Sequence, residues 1–251
     1  MLKTLFTRLK QGYRTAKYPL APPVLPDLFK GLPEIDSSRC GLDCRICVEG
    51  CALKAIERTD EQTKIDIGKC TFCGSCEKLC PLNAIHFTKQ HSMAASKREN
   101  LITGHKPFSG AAKLDPRRLS MFKRSIRLRQ VSAGGCNACE ADVNVLNTLV
   151  FDLSRFGIQF VASPRHADGL LITGPVSKNM ELALKKTYDA TPSPKIVIAV
   201  GSCAISGGMF AGHDEVNKGV SEILPVDLFI PGCPPHPYTI LDGILKCTGR
   251  I

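Results

Sequence analysis

Residues 69–81 read KCTFCGSCEKLCP and hold the densest run of cysteine in the chain. The spacing is Cys-x2-Cys-x2-Cys-x3-Cys-Pro, and the four cysteines are Cys70, Cys73, Cys76 and Cys80. In this arrangement three thiolates bind one iron–sulfur cluster, while the fourth, next to proline, binds a second cluster. The stretch therefore predicts a chain that folds around iron–sulfur clusters and transfers electrons.

A second set of cysteines lies upstream and comprises Cys40, Cys44, Cys47 and Cys51. The segment CALKAI at 51–56 matches CPLNAI at 80–85 at an offset of 29 residues, which indicates an internal repeat. Such a repeat is typical of a two-cluster bacterial ferredoxin. Crossed ligation is then expected, with Cys40, Cys44 and Cys47 joined by Cys80, and Cys70, Cys73 and Cys76 joined by Cys51. The first set has one extra residue between its first two cysteines, and Ala52 replaces the proline.

Two other uses of these cysteines compete with this interpretation. Structural zinc sites commonly use two separated CxxC pairs rather than a tight run of four cysteines before proline. Disulfide frameworks are typical of small secreted domains, whereas this chain has 251 residues and no apolar leader at its N-terminus. The spacing favours iron–sulfur clusters over both.

Composition narrows the class of protein. The chain is 43% hydrophobic and contains no apolar run of the roughly 18 residues needed to span a bilayer. Thirteen cysteines without a disulfide pattern favour a reducing, cytoplasmic compartment. These features predict a soluble or peripheral protein of one or two domains.

The net charge of +10 comes from two segments. Residues 1–30 carry six basic residues and one acidic residue, and residues 97–129 carry ten basic and two acidic residues. The chain has no tryptophan and no nucleic-acid-binding motif, so a nucleic-acid partner is not expected. Leu2, Leu5, Phe6 and Leu9 recur at helical spacing between basic residues, which predicts a short amphipathic helix for a membrane surface or a partner subunit.

Four regions follow from these patterns. Residues 1–35 are expected to form the amphipathic helix and a proline-rich extended arm, and residues 36–95 the small α+β ferredoxin-like domain with two clusters. Residues 96–130 read as a basic connector. Residues 131–251 read as an α/β domain with a flavodoxin-like parallel sheet. The elements predicted there are strands at 158–161, 169–173, 195–200 and 226–230, and helices at 141–156, 177–190 and 237–247.

The third set of cysteines lies at the predicted strand ends. Cys203 follows the strand at 195–200, Cys233 follows the strand at 226–230, and Cys136 and Cys139 precede the helix at 141–156. The carboxyl ends of parallel strands meet at one edge of a sheet, where ligands bind. A lone cysteine here would be an ordinary buried residue, but four together predict a third cluster. Gly135, Gly201 and Gly232 are expected to bring backbone N–H groups close to it.

Both halves resemble known families. GYRTAKYPLAPP, FKGLPEID and IGKCTFCGSCEKLCPLNAI in residues 1–95 are similar to the ferredoxin-type subunit of formate hydrogenlyase and other group 4 membrane-bound [NiFe] hydrogenases. IRLRQVSAGGCNACE, FGIQFVASPRHADGLLITGPV, IVIAVGSCAISGGMF and VDLFIPGCPPHP in residues 125–247 resemble their small subunit, which is related to the 20 kDa subunit of complex I. The chain looks like a natural fusion of these two subunits.

The resemblance implies an electron-transfer subunit of a membrane-associated, hydrogenase-type oxidoreductase, with no complete active site in this chain. Three [4Fe-4S] clusters would relay electrons to or from a catalytic large subunit. Membrane-arm subunits would be further partners, and a formate dehydrogenase or a soluble ferredoxin would be the electron donor. The expected location is the cytoplasmic face of the inner membrane, with peripheral attachment.

Details near the third set refine this hypothesis. The resemblance is to the hydrogenase form, CxxC followed by glutamate, because the chain has Cys136, Cys139 and Glu140. Glu140 is a candidate for a proton path or for stabilising a helix N-terminus. Arg165 occupies a loop that the resemblance places near the third cluster, where it would tune the cluster's potential.

Two alternatives stay open at this point. One is a complex I-like subunit that passes electrons to quinone or to an ion-pumping complex without nickel. The other is a zinc-bearing nucleic-acid-binding protein, which the charge and the CxxC pairs would support.

Overall fold

A computed structural model describes residues 2–40, 44–59, 62–104, 107–122 and 125–251 of the chain. The loop that contains the extra residue of the first cysteine set lies in 41–43, outside the described residues. Three residues of the basic segment, Lys106, Lys123 and Arg124, lie outside them as well.

The N-terminal region forms the predicted helix and arm. Helix α1 spans Leu2–Gln11 and has no buried residue, so its apolar side chains Leu2, Leu5, Phe6 and Leu9 are all exposed. The arm that follows crosses the C-terminal domain. The Ala16 N–H donates to the Val150 carbonyl at 2.8 Å, and Arg155 donates to the Tyr18 carbonyl at 2.9 Å. The predicted arm thus runs across the second domain of the same chain.

The ferredoxin-like unit consists of two short helices and two small antiparallel sheets. Its elements in chain order are β1 Pro33–Ile35, α2 Ile46–Glu49, β2 Ile56–Arg58, β3 Thr63–Asp66, α3 Ser75–Leu79, β4 Ile85–Phe87 and β5 Ile102–Thr103. Strand β1 pairs with β4, and the other sheet has the order β2-β3-β5. Short β-branched strands with one buried face fit this small core, as Ile56 opposite Ile65 illustrates.

The C-terminal domain is an α/β unit with a five-stranded parallel sheet. It comprises α4 Pro116–Phe122, β6 Ile126–Ser132, α5 Ala138–Val145, β7 Ile158–Phe160, β8 Gly169–Thr173, α6 Lys178–Ala190, β9 Ile196–Val200, α7 Ser202–Ser206, β10 Leu228–Ile230 and α8 Pro237–Cys247. The sheet order is β10-β9-β8-β6-β7, with every pair parallel. Numbered within the domain, that order is 2-1-3-4-5, the flavodoxin-like arrangement. The predicted fold class is confirmed.

Different parts of the chain cover the two faces of the sheet. The side chains of α5 and α8, together with Tyr18 of the arm, pack with Leu171 and Ile198 of the sheet in one apolar core. Leu184 of α6 packs on the opposite core, which continues without a break into the core of the ferredoxin-like unit. Ala95 also exchanges two backbone hydrogen bonds with Phe229 of β10, at 2.9 and 2.8 Å. The two units therefore form one packed body.

Two predicted boundaries shift in the structure. The connector predicted at 96–130 contains β5, which pairs with β3, so the ferredoxin-like unit extends beyond the boundary at 95/96. The same connector contains α4 and most of β6, so the boundary at 130/131 falls inside a strand of the parallel sheet. The strand β6 was predicted as a solvated basic segment, because Arg127 and Arg129 alternate in it with buried residues. Arg127 is in fact paired with Asp168 at 3.5 Å, and Arg118 of α4 forms a two-point ion pair with Asp227.

The helix predicted at 141–156 was wrong in extent. Helix α5 ends at Val145, and a separate 3₁₀ turn occupies Leu153–Phe156. Asp152 between them has φ +44°, a left-handed conformation that an α-helix does not allow. Since the arm binds the Val150 carbonyl, a distant segment stabilises this break. The stop expected at Gly157 is present, with φ +71°.

One prediction concerns the attachment of the arm. Burial and the neighbouring Asp242 carboxylate raise the pKa of Tyr18 well above its usual value, so the phenol stays protonated and donates to Asp242 at 2.5 Å. We expect Tyr18→Phe to lower the free energy of unfolding by about 1–3 kcal/mol, because the buried carboxylate loses a donor. Anaerobic denaturant titration measures this change.

Tyr13→Phe is the matched control, because Tyr13 is in the same arm and 87% exposed. Equal stability of the two variants would contradict a role of this hydrogen bond in attaching the arm.

Candidate iron–sulfur sites

The first crossed set converges around α2. Cys47 lies in this helix and is 6% exposed. Burial raises the pKa of the Cys47 thiol, and the charges of Cys40, Cys44 and Cys80 raise it further. Cys80 comes from the other half of the repeat, so the fold brings together the four residues expected to share a cluster.

The second crossed set surrounds a cavity. Cys51, Cys70, Cys73 and Cys76 all line a space of about 90 Å³, closed on other sides by apolar residues such as Ile65 and Phe87. Burial raises the pKa of Cys70 to about 12, and the charges of Cys76, Cys73 and Cys51 contribute. Burial likewise raises the pKa of Cys76 to about 11. The four cysteines expected to share the second cluster therefore lie around one space, and their ligation of a cluster stays a prediction.

Backbone N–H groups point at the sulfurs in a repeated pattern. The Ala55 N–H donates to Cys51 Sγ at 3.3 Å, and the Ala84 N–H donates to Cys80 Sγ at 3.2 Å. These pairs are 29 residues apart, so the two halves present the same device to the last cysteine of each set. Donors to sulfur stabilise the negative charge of a thiolate and of a reduced cluster.

The third set lies at the carboxyl edge of the parallel sheet, beyond β6, β9 and β10. Burial is the main cause that raises the pKa of the Cys139 thiol, followed by the charges of Cys203, Glu140, Cys233 and Cys136. Burial and Cys233 also raise the pKa of Cys203 to about 11. All four sulfurs therefore lie within electrostatic range of one another, and Cys136 is exposed at the rim.

Glycine makes room for two of these sulfurs. A Cβ added to Gly201, which has φ +90°, would lie 2.5 Å from Cys139 Sγ. A Cβ at Gly208 would lie 2.6 Å from Cys203 Sγ. Gly201 was expected from its place before Cys203, whereas Gly208 was missed, because nothing local marks it as facing a sulfur. Gly135 and Gly232 instead closely approach Gly174 and Pro235, and their role toward a cluster stays a prediction.

Glu140 is buried beside Cys139 and bound by two hydroxyl groups. Ser132 Oγ, at the end of β6, donates to its carboxylate at 2.7 Å, and Thr173 Oγ1, at the end of β8, donates at 2.6 Å. These bonds tie the first turn of α5 to two strand ends. A proton path through Glu140 stays a prediction.

The structure places Arg165 at the surface. It is exposed on the 3₁₀ turn Pro164–His166, and it forms no hydrogen bond or ion pair within the described part of the chain. Its proposed effect on the third cluster's potential stays a prediction as well.

The second and third sets lie side by side across the contact between the two units. Ser202, directly before Cys203, donates through Oγ to the Cys70 carbonyl at 2.6 Å, and Ser206 donates to the Gly68 carbonyl at 3.1 Å. Phe72 and Cys233 line one common cavity. Because these contacts to the third set come from the second set, the second set is the inner ferredoxin site and the first set is the outer one.

The residues present fit iron–sulfur clusters in their donor chemistry. Each set provides four thiol groups, and no histidine or carboxylate is needed as a ligand. Backbone N–H groups donate to Cys51, Cys70 and Cys80 of the ferredoxin sets, and Gly201 and Gly208 border two sulfurs of the third set. Among the described residues no three Cys, His, Asp or Glu side chains surround a point where one metal ion would bind. A cubane places each thiolate on a different iron, so its four ligands do not have to converge on one point.

Comparison with known proteins places the chain among its relatives. Residues 136–247 match the family of the NADH ubiquinone oxidoreductase 20 Kd subunit, and residues 63–86 match the 4Fe-4S binding domain. The probable membrane-bound hydrogenase subunit mbhJ of Pyrococcus furiosus is 44% identical over 51% of this chain and 77% of its own length. The chain belongs to the 20 Kd subunit family.

Other relatives extend this comparison. Formate hydrogenlyase subunit 7 of Escherichia coli is 43% identical over 53% of this chain and 52% of its own length. A chain from the structure of a membrane-bound sulfane sulfur reductase, an archaeal respiratory membrane complex, is 35% identical, with a TM-score of 0.47, over 54% of this chain and 75% of that chain. Since the 4Fe-4S match at 63–86 precedes the family match at 136–247, this member of the 20 Kd subunit family carries a 4Fe-4S binding domain ahead of the family domain, as the sequence predicted.

The close approach at Gly201 gives a direct test of the third site. We expect Gly201→Ala to displace Cys139 Sγ and to remove about four irons per chain, the content of one tetranuclear cluster. Iron analysis of anaerobically purified protein measures this loss.

Gly212→Ala is the matched control. Gly212 has φ +88° and open space around its Cα, so its substitution applies the same backbone strain without touching a sulfur. Full iron content in both variants would contradict the placement of a cluster against Gly201.

Proposed function

We propose that this chain is the electron-transfer subunit of a membrane-associated, hydrogenase-type oxidoreductase, and that it carries three [4Fe-4S] clusters. The observation that carries the proposal is the succession of three four-cysteine sets, linked by the hydrogen bond from Ser202 to the Cys70 carbonyl. Electrons would pass between the outer and inner ferredoxin clusters and the cluster held by the sheet edge. The clusters supply the one-electron chemistry, and the chain supplies thiolates, burial and N–H donors.

The third site has the character of a terminus. Cys136 is exposed, and so is its neighbour Asn137, while Cys139 is partly buried and its sulfur lies against Gly201. A cluster bound there would have one side toward the second cluster and one side open to another subunit. This supports a catalytic large subunit as the partner at that face.

Two kinds of large subunit are in question. The sequence Cys136-x2-Cys139-Glu140 and the hydrogenase names of two relatives favour a nickel–iron partner. The family name itself, and relatives named as subunits of NADH-quinone oxidoreductase, support the alternative, a complex I-like assembly that passes electrons to quinone without nickel. Metal analysis of the purified complex decides between them, because only a nickel–iron partner contains nickel. Two CxxC pairs in the large subunit would bind that nickel.

The N-terminal helix supports peripheral attachment to a membrane. No helix in the described ranges is both long and apolar enough to cross a bilayer. Helix α1 exposes four large apolar residues on one side, and Lys3, Arg8 and Lys10 lie among them. An exposed apolar stripe bordered by cations suits the interface of an anionic membrane.

The proposal predicts about twelve irons and twelve acid-labile sulfides per chain, four of each per cluster. Cys44→Ala, Cys73→Ala and Cys233→Ala are each expected to remove a different EPR signal and about four irons. Cys247→Ala is the control, because Cys247 is fully buried in α8 and belongs to none of the three sets. Colourless protein with zinc and no sulfide would overturn the proposal.

Membrane attachment is tested separately with vesicles of anionic phospholipid. Phe6→Glu should reduce the bound fraction at least about tenfold, because burial of one phenylalanine contributes about 1.5–3 kcal/mol. Thr4→Glu adds the same charge on the opposite side of α1 and serves as the control. If both variants bind equally, α1 contacts a partner subunit rather than lipid.

A further inference from the structure

A guanidinium group contacts one ligand of the outer cluster site. Arg58 Nη1, at the end of β2, donates to Cys40 Sγ at 2.6 Å and to Thr63 Oγ1 at 3.3 Å. Arg58 is half-buried, so solvent screens its charge less than it would screen a surface charge.

The internal repeat shows what the other half has in this position. Arg58 and Phe87 are 29 residues apart and both end a short strand, β2 and β4 respectively. Phe87 lines the cavity of the inner cluster site, so an apolar ring stands where the outer site has a positive charge. The symmetry of the two halves is therefore broken at one residue that touches the outer site.

The other hydrogen bonds that join described residues to these sulfurs come from neutral groups. The sulfurs of Cys51, Cys70 and Cys80 accept backbone N–H groups, and Cys73 Sγ lies 3.4 Å from Ser75 Oγ. Within the described residues no Lys or Arg side chain forms a hydrogen bond to a sulfur of the inner site. A hydrogen bond from a charged donor is roughly twice as strong as one from a neutral donor.

We propose that Arg58 tunes the outer cluster, the one assigned to Cys40, Cys44, Cys47 and Cys80, by raising its reduction potential. Reduction adds one negative charge to a cluster, and a guanidinium on a ligand sulfur stabilises that charge. The electron that the inner cluster gives up is the electron that the outer cluster gains. Arg58 therefore increases the share of a reducing electron that resides at the outer end of the chain, farthest from the sheet edge.

The inference rests on the proposed three-cluster function, and its test keeps the two apart. Iron, sulfide and the number of EPR signals report on the clusters themselves. A potentiometric EPR titration of the full chain, which should show three one-electron steps, reports on Arg58. In Arg58→Gln one step is expected to fall, with about a tenfold lower ratio of reduced to oxidised cluster at a fixed potential, equivalent to 59 mV for one electron.

Three further variants make the result specific. Arg58→Lys keeps the charge and should retain most of the wild-type potential. Arg39→Gln removes an equal charge next to Cys40 in sequence, but Arg39 binds Asp36 rather than a sulfur, so this variant should leave all steps in place. Ser75→Ala removes the hydroxyl beside Cys73 and marks the inner cluster's step, which must differ from the step that Arg58→Gln moves.

Three outcomes would overturn the inference while leaving the three clusters intact. They are unchanged potentials in Arg58→Gln, an equal shift in Arg39→Gln, and a shift of the step marked by Ser75→Ala. Arg58→Met is a second neutral variant in case Arg58→Gln loads poorly. If both neutral variants lose one cluster and Arg58→Lys retains it, Arg58 serves cluster assembly rather than potential, and the inference fails.

Discussion

Burial of clustered thiolates is the constraint on which this structure depends. Four cysteines held together raise one another's pKa, as Cys139 illustrates with contributions from Cys203, Cys233 and Cys136 beyond that of burial. Iron relieves the repulsion between these thiolates, because it binds the thiolate form and compensates its negative charge. Cluster assembly and folding are then linked, since each set joins segments that an unfolded chain keeps apart.

The same constraint explains how the two units are joined. Electron transfer requires short distances between neighbouring clusters, so the inner ferredoxin site must lie against the sheet-edge site. The chain achieves this with a continuous apolar core between the units, with the backbone bridge from Ala95 to Phe229, and with Ser202 bound to the Cys70 carbonyl. Ser202, which binds the Cys70 loop of the inner site, thus directly precedes Cys203.

Sequence predicted most of the cysteine sites, because their signals are local. Cluster-binding loops have fixed spacings, and buried parallel strands such as β8 and β9 are continuous apolar runs. The repeat also predicted that Cys51 and Cys80 lie near the cysteines of the opposite set, and their crossed ligation stays a prediction. In contrast, strand β6 was not predicted, because its outward residues are arginines. Helix α5 was predicted too long, because the break beyond it is stabilised by the distant arm residue Ala16.

The contacts that border the cysteine sulfurs could not be predicted either, because they join residues that are distant in sequence or unmarked by spacing. Gly208 faces Cys203 Sγ, and Arg58 faces Cys40 Sγ, only after loops and strands have packed. No spacing rule marks either residue. Arg165, which was selected by resemblance, lies exposed, and its effect on the third cluster stays a prediction.

The central claim is that one chain holds three tetranuclear clusters in succession. An anomalous difference map collected at the iron edge from anaerobic crystals of the full chain tests it most directly. The account predicts three compact iron peaks, each enclosed by one of the three cysteine sets. A missing peak among Cys136, Cys139, Cys203 and Cys233, or a single-atom peak at any set, would contradict it.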